Sequence, residues 1–224
     1  MKFPWTPKRE PEVEAYLAGT SRRYRRKDPT AEAPFVVLDT EASGFQLHTD
    51  KILSVATMSV QGNRAETSSL RHWLIRRTEA DVTPATRIHT ILPSDSSEGT
   101  PEKEVLGQLL PILTGSIIVG HHIGFDIAML NRAFQEHYNL KLKNRYLDTA
   151  VLAQRVLDAY RRTGYANQRP PGLDEVVSHL GLTVWERHTA DGDTFATGQL
   201  FLLLCARLRR QLERELVLSD LPLT

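Results

Sequence analysis

One stretch near the start of the chain, residues 35–44, constrains the fold and the chemistry more than any other. It places four apolar residues directly before Asp39 and Glu41, and it closes at Gly44. An apolar run bounded by polar residues and glycine predicts a buried central strand. Because alternate residues of a strand point to the same side, the two carboxylates converge at its end, where a cation would stabilise them. Taken alone, the pair would be better explained as a polar strand end entering a turn.

Length and composition limit the class of protein. The 224 residues suffice for one α/β domain with a full core. The 28 Lys and Arg residues nearly balance the 27 Asp and Glu residues, which argues against a protein whose whole surface is basic and binds polyanions. A single cysteine, Cys205, excludes internal disulfides and thiolate metal clusters. We find neither a signal peptide nor a membrane span, and we expect a cytoplasmic protein with no membrane partner.

The order of the predicted elements indicates an α/β fold with a mixed β-sheet flanked by helices. Residues 52–60 predict a second strand and residues 70–75 a third, so the chain begins as an antiparallel meander. Two further apolar strands, 116–120 and 146–147, alternate with helices and predict parallel pairing. Helices are predicted over residues 84–89, 101–113, 148–160, 173–180 and 193–216, and another begins near Asp126.

Composition divides the chain into three parts. Residues 1–33 form a basic N-terminal extension, residues 34–216 form the main domain, and residues 217–224 form a short tail. Within the extension, Ser21–Lys27 places five basic residues around Tyr24. Such a run can bind phosphates through charge and a base through stacking. A solvated lead-in segment is an equally good interpretation, so the role of this run stays open.

Four acids stand at the ends of predicted elements, each beside apolar residues. Asp126 comes at the start of a helix, and Asp193 comes at the start of the last helix. Burying these carboxylates together with Asp39 and Glu41 costs too much free energy unless cations compensate. An all-oxygen site selects hard ions such as Mg²⁺ or Mn²⁺, and a pair of such ions is the usual device for phosphoryl transfer.

His188 lies five residues before Asp193, in a loop with Gly192 that leads into the last helix. A histidine at this place can accept a proton from an attacking water near neutral pH. By itself it would be better explained as a surface histidine. Its position beside the fourth acid favours a role as general base.

Three motifs together resemble the DnaQ-like (DEDDh) 3′–5′ exonuclease family, of the polymerase III epsilon and ribonuclease T type. They are Asp39-Thr40-Glu41 at the end of a strand, Phe125-Asp126 before a helix, and His188 followed by Asp193. Each motif alone is weak, but three in order and in the expected structural contexts are specific. The resemblance covers about residues 34–204, and none of the five catalytic positions is missing.

The resemblance implies a ribonuclease H-like core and a catalytic site for two divalent cations, Mg²⁺ or Mn²⁺. The implied metal ligands are Asp39, Glu41, Asp126 and Asp193, and His188 is the implied general base. The reaction would be metal-dependent hydrolysis of phosphodiester bonds at the 3′ end of single-stranded nucleic acid, with DNA favoured. The products would be 5′-nucleoside monophosphates.

The same resemblance implies a substrate site beside the first motif. The backbone between Thr40 and Gly44 would receive the terminal nucleotide, and Phe45 would stack on it or wedge beside it. An aromatic residue after a turn is also often a core anchor, so that alternative stays open. His122 stands where many relatives have Asn, and this departure would change either a substrate contact or the internal hydrogen bonds of the loop, of which we favour the second.

Two alternatives remain at this stage. The chain could be a non-catalytic or weakly active module that docks on a replication or repair polymerase, although loss of an acid or of His188 would be its signature. It could also be an exonuclease that acts on RNA, because the contacts that recognise a 2′-OH are not visible in a sequence. Oligomeric state, preferred metal and any role in proofreading are equally open.

Overall fold

The structure, a computed structural model, describes residues 9–20, 24–77, 86–161, 169–184 and 186–224. Within these residues, six strands form one sheet and helices pack on both of its faces. The strands are β1 (Phe35–Ala42), β2 (Ile52–Gln61), β3 (Arg64–Ala65), β4 (Arg71–Leu74), β5 (Ile117–Gly120) and β6 (Tyr146–Asp148). The helices are α1 (Pro11–Thr20), α2 (Thr86–His89), α3 (Pro93–Ser97), α4 (Glu102–Leu113), α5 (Gly124–Tyr138), α6 (Thr149–Val156), α7 (Leu173–His179) and α8 (Ala190–Leu212).

The sheet is mixed, as the order of elements predicts. Its strand order is β3-β2-β1-β5-β6, and β4 also pairs with β2. The pairs β1–β2, β2–β3 and β2–β4 are antiparallel, whereas β1–β5 and β5–β6 are parallel. The prediction of an antiparallel meander joined to parallel strands is therefore confirmed. The two-residue strand β3 was not predicted, because two residues are too few to show a periodic pattern.

Strand β1 is central because its residues feed both halves of the core. Phe35 and Val37 belong to the cluster of buried residues formed with α6, α7 and α8. Val36 and Leu38 belong to the opposite cluster, formed with α1, α4 and α5. Alternation along an extended chain sends successive side chains to opposite faces of the sheet. An uninterrupted apolar run is therefore needed in a strand that is covered on both sides.

Helix α8 differs from its prediction at both ends. It begins at Ala190 rather than Asp193, because the Thr189 hydroxyl caps it by accepting the Gly192 N–H at 3.2 Å. It ends at Leu212 rather than Leu216, because Glu213 adopts a left-handed conformation with φ 52°. The earlier start places Asp193 inside the first turn of the helix.

Helix α6 is also shorter than predicted, ending at Val156 instead of Tyr160. Leu157 is extended, with φ −104° and ψ 121°, which breaks the helical path. A short 3₁₀ turn then covers Asp158–Tyr160. The first two residues of the helix predicted at 84–89 lie outside the described residues, as do residues 21–23 of the basic run.

Both ends of the described chain contact the core. Val13 and Tyr16 of α1 are buried against the α4 side of the sheet, and the Tyr16 hydroxyl donates to Asn144 Oδ1 at 2.6 Å. Leu218 and Leu221 are buried as well. Burial of these side chains ties the segments before residue 34 and after residue 216 to the main domain. None of the described helices combines the length and the apolar character that crossing a bilayer requires.

Candidate active site

The strand ends β1, β5 and β6 meet at one edge of the sheet, and a cleft of about 370 Å³ lies there. In parallel sheets, ligands bind at the carboxyl ends of the strands. The cleft brings together every site residue predicted from the sequence. Its lining includes Asp39, Thr40, Glu41, Gly44, Phe45, His122, Asp126, His188 and Asp193.

Three of the four predicted acids form a compact group of oxygens. One carboxylate oxygen from each of Asp39, Glu41 and Asp193 lies within 4.8 Å of the other two. Asp39 and Glu41 come from β1, and Asp193 comes from the first turn of α8. Such an all-oxygen donor set fits a hard divalent cation.

Helix α8 reaches the sheet because small residues face it. A Cβ on Gly198 would lie 3.6 Å from Val37 Cγ2 and would overlap Met58 Cε, so glycine allows a close approach to β1 and β2. The Thr194 hydroxyl lies 3.4 Å from the Ala56 carbonyl oxygen of β2. This packing sets the distance between Asp193 and the β1 carboxylates.

Asp126 is held by Thr40 rather than by the three-acid group. The Thr40 N–H and hydroxyl both donate to Asp126 Oδ1, at 2.9 Å and 2.6 Å. Asp126 is buried at the start of α5 and raises the pKa of both Asp39 and Glu41 through its charge. Thr40, which the sequence predicts as a substrate contact, therefore orients one of the acids.

The positive charge near the buried carboxylates of the cleft is too small to balance their negative charge. Burial raises the pKa of Asp39 well above its ordinary value, and the charges of Asp126 and Glu41 raise it further. Burial and Asp126 raise the pKa of Glu41 to about 7. The pKa of Asp126 is also raised to about 7, mainly by burial, against the opposing effect of the Thr40 hydrogen bonds. Carboxylates in this condition bind cations well, because a cation removes the cause of the shift.

Arg187 supplies some of the missing charge, and the sequence reasoning did not identify it. Its guanidinium forms an ion pair with Asp193 and donates through Nε to Asp174 of α7 at 2.6 Å. Its positive charge also lowers the pKa of Asp39 and of Glu41, against the larger raising effects of burial and of the neighbouring carboxylates. The only available signal was a basic residue directly before His188.

His188 occupies an exposed position on a tight loop between α7 and α8. Both Glu186 and His188 have positive φ, 52° and 64°, which non-glycine residues seldom adopt. The His188 N–H donates to Asp193 Oδ1 at 3.2 Å. Gly192 permits this loop, because a Cβ there would lie 2.8 Å from both the Glu186 carbonyl carbon and Thr189 Oγ1.

Phe45 projects into solvent beside the acids. It is 80 % exposed, and its ring centroid lies 6.0 Å from that of Phe125. The alternative that Phe45 anchors the core is therefore wrong. Its loop is held from α5, because Arg132 donates to the carbonyl oxygens of Leu47 and Asp50.

His122 takes part in the loop's own hydrogen bonding through its backbone. Its φ is 56°, and its N–H donates to Asp148 Oδ1 at 3.0 Å, while its side chain is exposed. The neighbouring His121 is buried, with Nε2 2.9 Å from the Pro171 carbonyl and Nδ1 2.8 Å from the Thr149 hydroxyl. Burial lowers the pKa of His121 to about 4, so its ring is neutral and structural.

A second residue missed by the site prediction is His89 at the end of α2. It lines the cleft and is 2 % exposed, and burial lowers its pKa. Its Nδ1 accepts the Ile91 N–H at 3.0 Å, whereas its buried Nε2 has no partner among the described residues. In the neutral ring, Nε2 then carries the hydrogen, so it is a donor rather than an acceptor.

The raised pKa values predict that metal-free protein loses stability as pH rises. In the unfolded chain, Glu41 and Asp126 release their protons near pH 4, but in the folded chain they hold them until about pH 7. The native state binds more protons across this window, so its free energy of unfolding falls by a few kcal/mol, in order of magnitude, between about pH 4 and pH 7.

Urea unfolding in EDTA across that pH range measures the effect, and Glu41→Gln is its matched variant. The variant should show a flatter dependence, because one of the shifted groups is removed. Saturating Mg²⁺ or Mn²⁺ should reverse the slope, since cations and protons compete for the same oxygens. A metal-free stability that rises with pH in this window contradicts the assignment of the acids as uncompensated.

A ribonuclease H-like sheet with an acidic cleft at its strand ends defines a protein of the nuclease class. The family model described as Exonuclease, of the RNase_T type, matches residues 36–201. The chain therefore belongs to this exonuclease family.

Curated relatives extend the match. The chain is 29% identical over 202 residues to a DNA polymerase III PolC-type protein of Thermotoga maritima, covering 88% of this chain and 14% of that protein. It is 23% identical over 197 residues to a DNA polymerase III subunit epsilon of Aquifex aeolicus, covering 86% of this chain and 90% of that protein. The chain thus spans only about a seventh of the length of the PolC-type relatives it matches.

Solved structures agree on the fold. The structure of E. coli Exonuclease I in complex with a dT13 oligonucleotide superposes with a TM-score of 0.66 at 17% sequence identity. The match covers 81% of this chain and 43% of that one. At this identity the likeness establishes the ribonuclease H-like fold.

Proposed function

We propose that this chain is a metal-dependent 3′–5′ exonuclease that hydrolyses single-stranded nucleic acid to 5′-nucleoside monophosphates. One observation carries the proposal, namely that oxygens of Asp39, Glu41 and Asp193 lie within 4.8 Å of one another in a cleft also lined by Asp126 and His188. The names of the curated relatives, which are polymerase III proteins, and the oligonucleotide-bound structural neighbour support it.

The acidic group would hold two divalent cations, Mg²⁺ or Mn²⁺. Asp39, Glu41 and Asp193 supply oxygens directly, and Asp126, oriented by Thr40, supplies the fourth carboxylate. When bound, the cations would stabilise negative charge on the phosphate and on the leaving 3′ oxygen. The protein's part is to hold the four carboxylates in place; the raised pKa values of Asp39, Glu41 and Asp126 oppose their ionisation until positive charge arrives.

His188 is the proposed general base. Its backbone N–H, and not its ring, donates to Asp193 Oδ1, and the residue lines the same cleft as the acids. A neutral imidazole can take a proton from the attacking water as the new P–O bond forms. Its exposure suits proton exchange with solvent after each turnover.

The proposed substrate site is the wall formed by Thr40, Gly44, Phe45 and His122. Phe45 can stack on the terminal base, because its ring is exposed and its loop is anchored through Arg132. Stacking of this kind accepts any base, which suits sequential removal of nucleotides. His89, whose Nε2 is a donor, also lines the cleft.

We favour DNA as the substrate because the relatives are DNA polymerase III proteins. Because these relatives are named as polymerase III proteins, we also propose a polymerase as a partner. We propose residues 34–216 as the exonuclease domain. RNA remains the alternative substrate. A module that docks on a polymerase without cutting is disfavoured, since all five predicted catalytic residues line one cleft.

Degradation of 5′-labelled oligonucleotides with Mg²⁺ or Mn²⁺ tests the proposal. We expect a ladder that shortens from the 3′ end, release of 5′-monophosphates, and slower cleavage of a blunt duplex of the same sequence. Matched DNA and RNA strands decide between the two substrates. Intact substrate under both metals contradicts the proposed activity, and a 3′ phosphate on the mononucleotide product contradicts the proposed bond cleavage.

A further inference from the structure

A second cleft, at the opposite end of the parallel strands from the acidic cleft, has the character of a binding site. It encloses about 600 Å³ and is lined by Tyr24, Arg26, Lys143, Asn144 and Arg145, among others. We name it the basic cleft. Ile117, the first residue of β5, also lines it. None of its lining residues belongs to the acidic cleft described above.

The two clefts lie at opposite ends of the parallel strands. Ile117 pairs with Phe35 at the start of β1, whereas the catalytic carboxylates lie four and six residues further along the same strand. At about 3.3 Å per residue, this separation is about 13–20 Å along β1. A ligand that occupies both clefts must therefore be an extended molecule that passes over the surface.

The charge of the basic cleft is one-sided. Its described lining has three cationic side chains, Arg26, Lys143 and Arg145, and no carboxylate side chain. The ion pairs found among the described residues include none of these three. In a chain whose formal charge is only +1, three such cations around one depression make a local attraction for anions.

The loop that presents two of these cations is held from within. Asn144 Nδ2 donates to the carbonyl oxygens of Leu113 and Ser116, at 2.6 Å and 2.9 Å. The Lys143 N–H donates to the buried Tyr16 hydroxyl at 2.7 Å. These contacts use the core to fix the backbone between Lys143 and Arg145, so little loop entropy is lost when an anion binds.

The third cation comes from a separate segment that is also anchored. The Arg26 carbonyl oxygen accepts the Ser219 N–H at 2.8 Å. Tyr24, which is partly buried against the core, adds an aromatic ring to the same lining. Cations from two segments beside an aromatic ring are what non-specific binders of single-stranded nucleic acid combine.

We propose that the basic cleft binds phosphates of a single-stranded nucleic acid at a distance from the end held in the acidic cleft. The proposal rests on the proposed function, because it assigns the far part of the same substrate. Binding of this kind would keep the strand attached while its end is shortened, and it would act only on strands long enough to reach both clefts.

The test compares two triple variants in EDTA, where no hydrolysis occurs. One replaces Arg26, Lys143 and Arg145 with Gln. The charge-matched control replaces Arg64, Arg207 and Arg210 with Gln as well; these three arginines are exposed and line neither cleft. Fluorescence anisotropy measures binding of a labelled trinucleotide and of a strand of about 20 nucleotides. Thermal unfolding confirms that both variants fold.

We expect the first variant to bind the long strand about tenfold or more weakly. The negative slope of its log K against log salt should be shallower than that of wild type by about 2, at about 0.7 per phosphate contact. Trinucleotide binding should not change. Equal losses in both triple variants, equal losses for both strand lengths, or a wild-type preference for free dTMP over the long strand overturn the proposal. Because binding is measured without metal, failure of the catalytic proposal gives a different result, namely strand binding without cleavage when metal is added.

Discussion

Asp39→Asn is expected to lower the rate of 3′-end hydrolysis by at least about 10³-fold. Losses of about this size are typical when a group that stabilises charge in the transition state is removed. Asp39 is the acid on which the charges of Asp126 and Glu41 converge. Its amide keeps the size of the side chain but offers one neutral oxygen in place of a carboxylate. Cation binding measured by titration calorimetry should weaken in parallel with the rate.

The same substitution should make the metal-free protein more stable. Burial and two neighbouring carboxylates destabilise the ionised form of Asp39, so removing its charge relieves repulsion. If the gain is about 1–2 kcal/mol, the melting temperature in EDTA at pH 8 rises by about 2–8 °C for a domain of this size. The variant should then lose most of the further stabilisation that Mg²⁺ or Mn²⁺ gives to the wild type.

This pairing of lost activity with gained stability separates a ligand role from misfolding. The control is Asp158→Asn, because the Asp158 side chain is 86 % exposed and, among the described residues, forms an ion pair with Arg161 at the surface. It should change neither rate nor melting temperature appreciably. A loss of activity in Asp39→Asn that comes with a lower melting temperature in EDTA contradicts the assignment.

The sheet and most of the cleft could be predicted because they follow from local patterns. The apolar run before Asp39 specifies a strand buried on both faces. Its alternate side chains pack into two core clusters, one on each face of the sheet. Carboxyl ends of parallel strands meet at one edge, so acids at such ends gather without further information. Asp126 and Asp193 join them because each lies in the first turn of a helix that packs on the sheet.

Contacts made by long side chains across loops could not be predicted in this way. Arg187 reaches Asp174 on α7 and Asp193 on α8, a geometry that depends on how those two helices pack. The identity of Thr40 does not show whether its side chain contacts a substrate or Asp126. Its position beside α5 in the folded chain decides that it contacts Asp126. The exposure of Phe45 likewise depends on a loop held by Arg132, which lies more than 80 residues away in the chain.

The second large effect is expected from His188→Asn, which should lower kcat by about 10²–10⁴-fold, the usual contribution of a general base. Asparagine is a suitable replacement because it tolerates the positive φ, 64°, found at this position. The backbone N–H that donates to Asp193 Oδ1 is retained, so the metal ligand keeps its hydrogen bond. An amide cannot accept and release a proton near neutral pH, and that is the property removed.

A base that acts only in the chemical step predicts a particular set of measurements. Calorimetric affinity for Mn²⁺ and the anisotropy affinity for single strands should stay within about threefold of wild type, whereas kcat falls with little change in KM. His72→Asn, on the exposed edge of β4 and outside the cleft, serves as the matched control and should retain full activity. If His188→Asn weakens metal binding as much as it slows turnover, the residue positions Asp193 through the loop and is not the base. The side chain of His122 is then the candidate among the described imidazoles of the cleft, because both ring nitrogens of His121 are bonded and Nδ1 of His89 already accepts a hydrogen bond.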